Sequence, residues 1–102
     1  MPVEVEARLT ERDDVAQAHV VPLPDGRMGE VGCAFVVPAA DAEPSAEELI
    51  EHCRARLARF KVPEHVVFVG AEELPLTSSG KVRKFLLARR AKEELLGVTS
   101  DA

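Results

Sequence analysis

The first half of the chain combines a helical stripe of apolar residues with two apolar segments of strand character. Val5 and Leu9 lie four residues apart, which predicts a short helix over Pro2 to Arg12. Val15 to Leu23 is rich in Val and Ala, and Val31 to Val37 is apolar on both faces, so each segment predicts a strand. The Pro, Asp and Gly residues between these segments are turn formers, so we expect a hairpin.

The second half predicts a helix, a third strand and a last helix. Ser45 and Glu48 have the spacing of a capping box, and the helix that follows must end before Pro63. His65 to Val69 predicts the third strand, and Val82 to Leu96 predicts the last helix. The apolar positions that we assign to the two helices are Leu49, Ile50, Cys53 and Leu57 in the first, and Phe85, Leu86, Leu95 and Leu96 in the last.

Taken in order, these elements predict an α+β domain with the sequence of elements α-β-β-α-β-α. The N-terminal hairpin and the third strand would form a small three-stranded sheet, packed with about three helices. The chain has 102 residues, 46% of them hydrophobic, and we find no internal repeat. This is enough for one domain with its own core.

Composition excludes several classes of protein. No apolar run approaches the ~20 residues that a membrane span needs, and the acidic N-terminus does not resemble a signal peptide. We therefore expect a cytoplasmic protein without a membrane span. Cys33 and Cys53 lie among apolar residues, so we expect buried free thiols. The spacing of the cysteines and histidines predicts no metal site.

Charge is distributed unevenly along the chain. The chain carries 13 basic and 18 acidic residues, and its net charge of −5 argues against a dedicated nucleic-acid binder. Between Leu74 and Lys92, however, the sequence contains six basic residues and no acidic one. This basic segment could attract phosphate, face another domain or form the solvated side of a helix.

The segment from Leu74 to Lys84 is the most informative about chemistry. Gly80 lets the backbone turn before Lys81, and the small polar residues around it predict an adaptable, exposed loop. A lysine on such a loop can place its ammonium group on a phosphate or a carboxylate. The spacing is not that of a Walker phosphate loop, since Val82 follows the lysine. From these residues alone, an ordinary exposed lysine remains the alternative.

Four segments in order resemble the C-terminal domain of the adenylate-forming superfamily, which includes acyl-CoA synthetases, luciferases and the adenylation domains of peptide synthetases. The lysine segment is similar to the family motif Pro-Leu-Thr-x-x-Gly-Lys-Val-x-Arg/Lys. Pro2 to Glu6 resembles the end of the hinge-proximal motif, Val20 to Val37 resembles the first two strands, and Arg59 to Pro63 resembles the Tyr/Phe-Lys-x-Pro motif. The resemblance covers almost the whole chain.

The resemblance implies that residues 1–102 form the mobile C-terminal domain of an acyl-CoA synthetase, with a large ATP- and acyl-binding domain preceding residue 1. Such enzymes convert a carboxylate and ATP to an acyl-adenylate and pyrophosphate, after which CoA displaces AMP. Lys81 is implied to be catalytic in the first step, with Gly80, Ser79 and Thr77 supporting its loop. The implied partners are the large domain, CoA and a carboxylic acid. ATP and CoA would be substrates, Mg²⁺ would lie in the large domain, and this domain alone would bind no cofactor.

Contact with CoA is implied for Phe60, Lys61 and Arg54. An aromatic ring can stack on the adenine of CoA, and neighbouring basic groups can meet its phosphates. The residues alone leave a second interpretation open. Phe60 lies three residues beyond Leu57 and could continue the apolar stripe into the core, and Arg54 would fit a solvated helix face.

Two alternatives remain open, one within the same superfamily and one from another class of protein. A peptide-synthetase adenylation domain acts on a carrier protein, and such domains resemble Tyr-Met-Val-Pro and Gly-Lys-Val-Asp-Arg, whereas this chain has Lys61 and Arg83. A non-enzymatic module could bind nucleic acid through the basic segment. The negative net charge and the absence of Tyr and Trp argue against that module, so we expect no nucleic-acid partner.

Overall fold

The computed structural model describes residues 2–97 and confirms the predicted order of elements. These are α1 (Pro2–Thr10), β1 (Val15–Asp25), β2 (Gly29–Pro38), α2 (Ala46–Arg54), β3 (His65–Phe68) and α3 (Lys84–Ala91). Short 3₁₀ turns lie at Arg59–Lys61 and Ala71–Glu73, and a π-helical turn, Lys92–Leu96, extends α3. None of the helices described over these residues has the length and apolar character to cross a membrane.

The sheet has the strand order β1-β2-β3, so β2 is its central strand. β1 and β2 form the predicted antiparallel hairpin, which is longer than expected because Asp25 pairs with Gly29. The carboxylate of Asp25 accepts the backbone N–H groups of Arg27 and Met28 and so closes the tight turn. β3 lies parallel to β2, with Cys33 opposite His65.

Both faces of β2 are covered, and its side chains alternate between two hydrophobic clusters. Ala34 and Val36 belong to the cluster under the first two helices, whereas Cys33, Phe35 and Val37 belong to the cluster under the last helix. The α1/α2 cluster consists of Val5, Leu9, Val15, Ala18, Val20, Ala34, Val36, Leu49 and Cys53. The α3 cluster consists of Val21, Leu23, Cys33, Phe35, Val37, Val69, Leu74, Leu87 and Ala91.

The start of α2 confirms the predicted capping box. Ser45 Oγ accepts the Glu48 N–H at 3.1 Å, and Glu48 Oε1 accepts the Ser45 N–H at 3.1 Å. The helix ends before Pro63, as predicted, but earlier than the predicted apolar stripe requires, because α2 stops at Arg54 and is capped at Ala55. Leu57, predicted on its stripe, lies beyond the helix and is only partly buried against the α1/α2 cluster.

The ends of the other helices also differ from the prediction. α1 stops at Thr10 rather than Arg12, whose guanidinium instead binds Asp14 at 2.8 Å. The last helix begins at Lys84, because Val82 is held in a strand-like bridge to Leu76. Its core-facing residues are Leu87 and Ala91, whereas Phe85, Leu95 and Leu96 of the predicted apolar set are exposed.

Cys33 and Cys53 are free and buried, as predicted. Burial raises the pKa of the Cys33 thiol to about 11, because the thiolate loses its hydration. Burial also raises the pKa of Cys53. Both side chains therefore act as small apolar groups of the core.

Truncating the central strand should cost far more stability than truncating an exposed ring on the last helix. Phe35 is fully buried on β2, so we expect Phe35→Ala to lower the free energy of unfolding by about 3–5 kcal/mol. Phe85 is 63% exposed and makes a cation–π contact with Arg83, so Phe85→Ala should cost at most about 1 kcal/mol. Urea unfolding of both variants measures the difference. Equal losses would contradict the two-cluster core.

Candidate functional site

The segment that carries Lys81 folds into a small hairpin, which we call the lysine hairpin (residues 75–83). Leu76 and Val82 form an antiparallel bridge. The Thr77 N–H donates to the Lys81 carbonyl at 2.8 Å, and the Arg83 N–H donates to the carbonyl of residue 75 at 2.8 Å. The sequence predicted an adaptable loop, but these backbone bonds make the segment an ordered turn.

Gly80 and Thr77 fix the tip of the lysine hairpin. Gly80 has φ +86°, in the left-handed region, and its N–H donates to the Thr77 carbonyl at 2.9 Å. This is the arrangement of a short hairpin loop that ends in a left-handed residue. Thr77 Oγ1 accepts the Lys81 N–H at 3.0 Å and lies 3.1 Å from Ser79 Oγ. The three residues predicted to support the lysine are thus in contact with one another or with its backbone.

The side chain of Lys81 is exposed, as predicted. Within residues 2–97 its ammonium group has no hydrogen-bond or ion-pair partner. Two other lysines differ in this respect, because Lys61 pairs with Glu4 and Lys84 pairs with Glu6. Lys81 is therefore an uncompensated positive charge on an ordered backbone, which is a suitable group for binding an anion.

Phe60 lies at the centre of the second predicted site, the 3₁₀ turn Arg59–Lys61, which we call the Phe60 turn. Its ring is 80% exposed, so the interpretation as a core residue was wrong. The helix that would have carried it inward ends at Arg54. Lys61 Nζ lies 5.7 Å from the centroid of the ring and 2.9 Å from Glu4 Oε2. This hydrogen bond from Lys61 lowers the pKa of the Glu4 carboxyl group.

The structure brings Phe60 and Lys61 together but separates them from Arg54. The first two line an open groove of about 330 Å³ together with Glu30 and residues of α1 and β1. Arg54 lines a neighbouring groove of about 570 Å³ with Arg59, and its guanidinium pairs with Glu51. The three predicted residues therefore do not line one common groove.

The two candidate elements lie against opposite faces of the sheet. The Phe60 turn lies between Leu57 and Val62, and both of these pack on the α1/α2 cluster. The lysine hairpin lies between Leu74 and α3, and Leu74 and Val82 pack on the α3 cluster. One small domain therefore presents two ordered, exposed elements from its two layers.

Contacts from α1 to both elements were not predicted from the sequence. Glu4 binds Lys61 of the Phe60 turn, and Glu6 binds Lys84 at the base of the lysine hairpin. Each pair joins residues more than fifty positions apart, and no local pattern indicates such a pairing. Part of the basic segment is also neutralised, because Arg90 pairs with Glu73 at 3.2 Å and with Glu94.

Residues 4–81 match the family described as the AMP-binding enzyme C-terminal domain. The chain belongs to this family. A relative from Humulus lupulus, a 2-methylpropanoate–CoA ligase, is 46% identical over 92 residues, which are 88% of this chain and 16% of the ligase. The chain thus spans about one sixth of that relative's length.

Solved structures agree with the assignment. The acyl-CoA synthetase of Brucella canis superposes with a TM-score of 0.82 and 36% identity, covering 91% of this chain and 17% of that protein. The amide bond synthetase McbA of Marinactinospora thermotolerans superposes with a TM-score of 0.79 and 40% identity, covering 85% and 17%. This AMP-binding C-terminal domain therefore has the fold of the matching part of each enzyme.

The conformation of the lysine hairpin can be tested with a pair of glycine substitutions. An added Cβ meets no atom within 4 Å at either Gly80 or Gly26, but only Gly80 has a φ in the left-handed region. We expect Gly80→Ala to lower the free energy of unfolding by about 1–2 kcal/mol and Gly26→Ala to change it by no more than about 0.5 kcal/mol. Thermal or urea unfolding gives both values. Similar values for the two variants would contradict the turn assigned to residues 77–80.

Proposed function

We propose that this domain is the mobile C-terminal part of an ATP-dependent acyl-CoA synthetase. The overall reaction converts a carboxylate, ATP and CoA to acyl-CoA, AMP and pyrophosphate. The observation that carries the proposal is the ammonium group of Lys81, which has no partner among residues 2–97 and lies on an ordered hairpin. The hop CoA ligase and the bacterial acyl-CoA synthetase, both similar over most of this chain, support the choice of reaction.

Lys81 acts in the first half-reaction. A carboxylate oxygen attacks the α-phosphorus of ATP, and the bond to pyrophosphate breaks. Both reactants are anionic, so a cation between them offsets their repulsion and stabilises the charge that develops on the phosphoryl oxygens. The lysine hairpin delivers this charge with little conformational freedom left in its backbone, because Thr77 and Gly80 fix its tip.

The Phe60 turn acts in the second half-reaction. The thiol sulfur of CoA attacks the acyl carbonyl of the adenylate, and AMP leaves with the electron pair of the broken bond. Phe60 offers an exposed ring on which the adenine of CoA can stack, with Lys61 beside it. Arg54 lines the adjoining groove and is paired with Glu51. It would bind the phosphates of CoA by leaving this ion pair. Because the two elements lie against opposite faces of the sheet, the domain must rotate between the half-reactions to use both.

The large N-terminal domain would complete the enzyme and hold ATP, the carboxylic acid and Mg²⁺. Within residues 2–97 no group of three His, Cys, Asp or Glu side chains could hold a metal ion. The pocket that selects the acyl group would also belong to the large domain. The expected cytoplasmic location stays a prediction.

A second candidate reaction uses the same adenylate but a different acceptor. The likeness to an amide bond synthetase, at 40% identity, is the observation that supports an amine as the second candidate acceptor. A carrier-protein thiol is a further alternative. Lys61 and Arg83 argue against it, because they depart from the peptide-synthetase pattern. A CoA-dependent product distinguishes the first proposal from both.

The two elements should separate the two half-reactions when each is mutated in the complete enzyme. Lys81→Ala should lower the rate of adenylate formation by at least ~10²-fold, the scale of one lost electrostatic contact. Thioester formation from a supplied acyl-adenylate should stay within severalfold of wild type. Phe60→Ala should do the reverse, raising the KM for CoA and leaving adenylate formation unchanged. Both residues are exposed, so stability should change by no more than about 0.5 kcal/mol.

Pyrophosphate exchange and single-turnover thioester formation are the two measurements. Equal losses in both half-reactions for Lys81→Ala would indicate misfolding or blocked rotation. They would contradict a specific role of the Lys81 charge in adenylate formation. No loss in either would make Lys81 an ordinary exposed lysine. Unchanged KM for CoA in Phe60→Ala, with product formed from an amine, would favour the amide-forming alternative.

A further inference from the structure

A chain of polar contacts runs from α1 to the base of the lysine hairpin. Glu6 Oε2 accepts the backbone N–H of Val20 at 2.8 Å and also pairs with Lys84 Nζ. The side chain of Glu6 is 19% exposed, compared with 40% for Lys84. The bond from β1 anchors the carboxylate, so Lys84 pairs with an acceptor that is itself tied to the sheet.

Lys84 directly follows the lysine hairpin, so a contact to Lys84 fixes the end of the hairpin. It begins α3 and follows Arg83, whose N–H closes the lysine hairpin on the carbonyl of Pro75. Arg83 is the N-cap of α3 and makes no side-chain capping bond. Two cations at a helix N-terminus also oppose the helix dipole, and the nearby carboxylate of Glu6 offsets that charge. Glu6 therefore offsets part of the positive charge at this helix end through the Lys84 side chain, without accepting a backbone N–H of α3.

Glu4 makes the corresponding contact on the other functional element. Its Oε2 lies 2.9 Å from Lys61 Nζ, and the side chains of Glu4 and Lys61 are 44% and 27% exposed. Glu4 and Glu6 belong to the same short helix, whose buried residues Val5 and Leu9 fix it on the α1/α2 cluster. One rigid helix thus has a carboxylate for each of the two exposed elements.

We propose that Glu6 is a positioning residue for Lys81 and that it acts through Lys84. The proposal rests on the proposed function, in which Lys81 serves adenylate formation. Holding the first residue of α3 fixes the end of the lysine hairpin and sets where the ammonium group of Lys81 points. Glu4 is the matching positioning residue for the Phe60 turn and affects thioester formation instead.

A double-mutant cycle in the complete enzyme tests the link. Glu6→Gln keeps the shape and an acceptor for Val20 but removes the charge, and Lys84→Met keeps the stem but removes the ammonium group. We expect each to slow adenylate formation about tenfold, as a modest displacement of a catalytic group does. The double variant should be no slower than either single variant, because both changes break one contact. Lys84→Arg, which keeps the pair, should restore most of the rate.

Two other carboxylates provide controls, Glu4 within α1 and Glu11 just after it. Glu4→Gln should leave adenylate formation unchanged and raise the KM for CoA. Glu11→Gln removes a carboxylate that lies 2.7 Å from Arg8, 3.2 Å from His52 and 3.8 Å from Arg56. Within residues 2–97 none of these partners belongs to the lysine hairpin or the Phe60 turn, so this variant should alter neither half-reaction. A similar loss of adenylate formation in all three variants would show a general effect of α1 charge and would overturn the proposal.

Amide hydrogen exchange on the 102-residue chain tests the same contact without relying on enzymatic activity. The Arg83 and Lys81 N–H groups are bonded within the lysine hairpin. Glu6→Gln should speed their exchange severalfold, and Glu11→Gln should not. If exchange responds but the complete enzyme forms no adenylate, the proposed function fails and the contact stands. If Lys81→Ala abolishes adenylate formation while Glu6→Gln changes neither rate nor exchange, the positioning role is wrong.

Discussion

The central strand β2 has to be buried on both faces, and the rest of the domain follows from that requirement. Residues Cys33 to Val36 are fully buried, and they point alternately to the two hydrophobic clusters. A strand that is apolar on both sides needs a layer of structure over each face. α1 and α2 supply one layer and α3 supplies the other, so a chain of only 102 residues forms three layers.

This layering places the two functional elements. The Phe60 turn is held by neighbours in the α1/α2 cluster and the lysine hairpin by neighbours in the α3 cluster. Each element is exposed but is anchored at both ends by side chains that pack on a hydrophobic cluster, which fits groups that must be ordered before they meet a substrate. Each half-reaction would then use an element that packs against a different face of the same sheet. α1 contacts the Phe60 turn through Glu4 and the residue that follows the lysine hairpin, Lys84, through Glu6.

Local signals in the sequence predicted local structure well. The capping box at Ser45 and Glu48 and the apolar run of β2 are patterns within a few residues, and both were confirmed. The last helix was predicted less well because Phe85 is apolar but exposed, while the core position is taken by Leu87. Hydrophobicity alone does not say which face of a helix meets the sheet when both faces carry apolar residues. The order of the lysine hairpin escaped prediction for a related reason, since Thr77 and Gly80 act through hydrogen bonds that a polar sequence does not reveal.

If Lys81 meets the reacting groups from a preformed hairpin, a structure of the complete enzyme with its substrates will show the contact. The complete enzyme should be crystallised with its carboxylic acid and a non-hydrolysable ATP analogue. We predict that residues 75–83 keep the hairpin described above and that Lys81 Nζ lies about 3 Å from an oxygen of the carboxylate or the α-phosphate. A structure with both substrates bound in the adenylate-forming arrangement, but with Lys81 in solvent or the hairpin unfolded, would contradict the account.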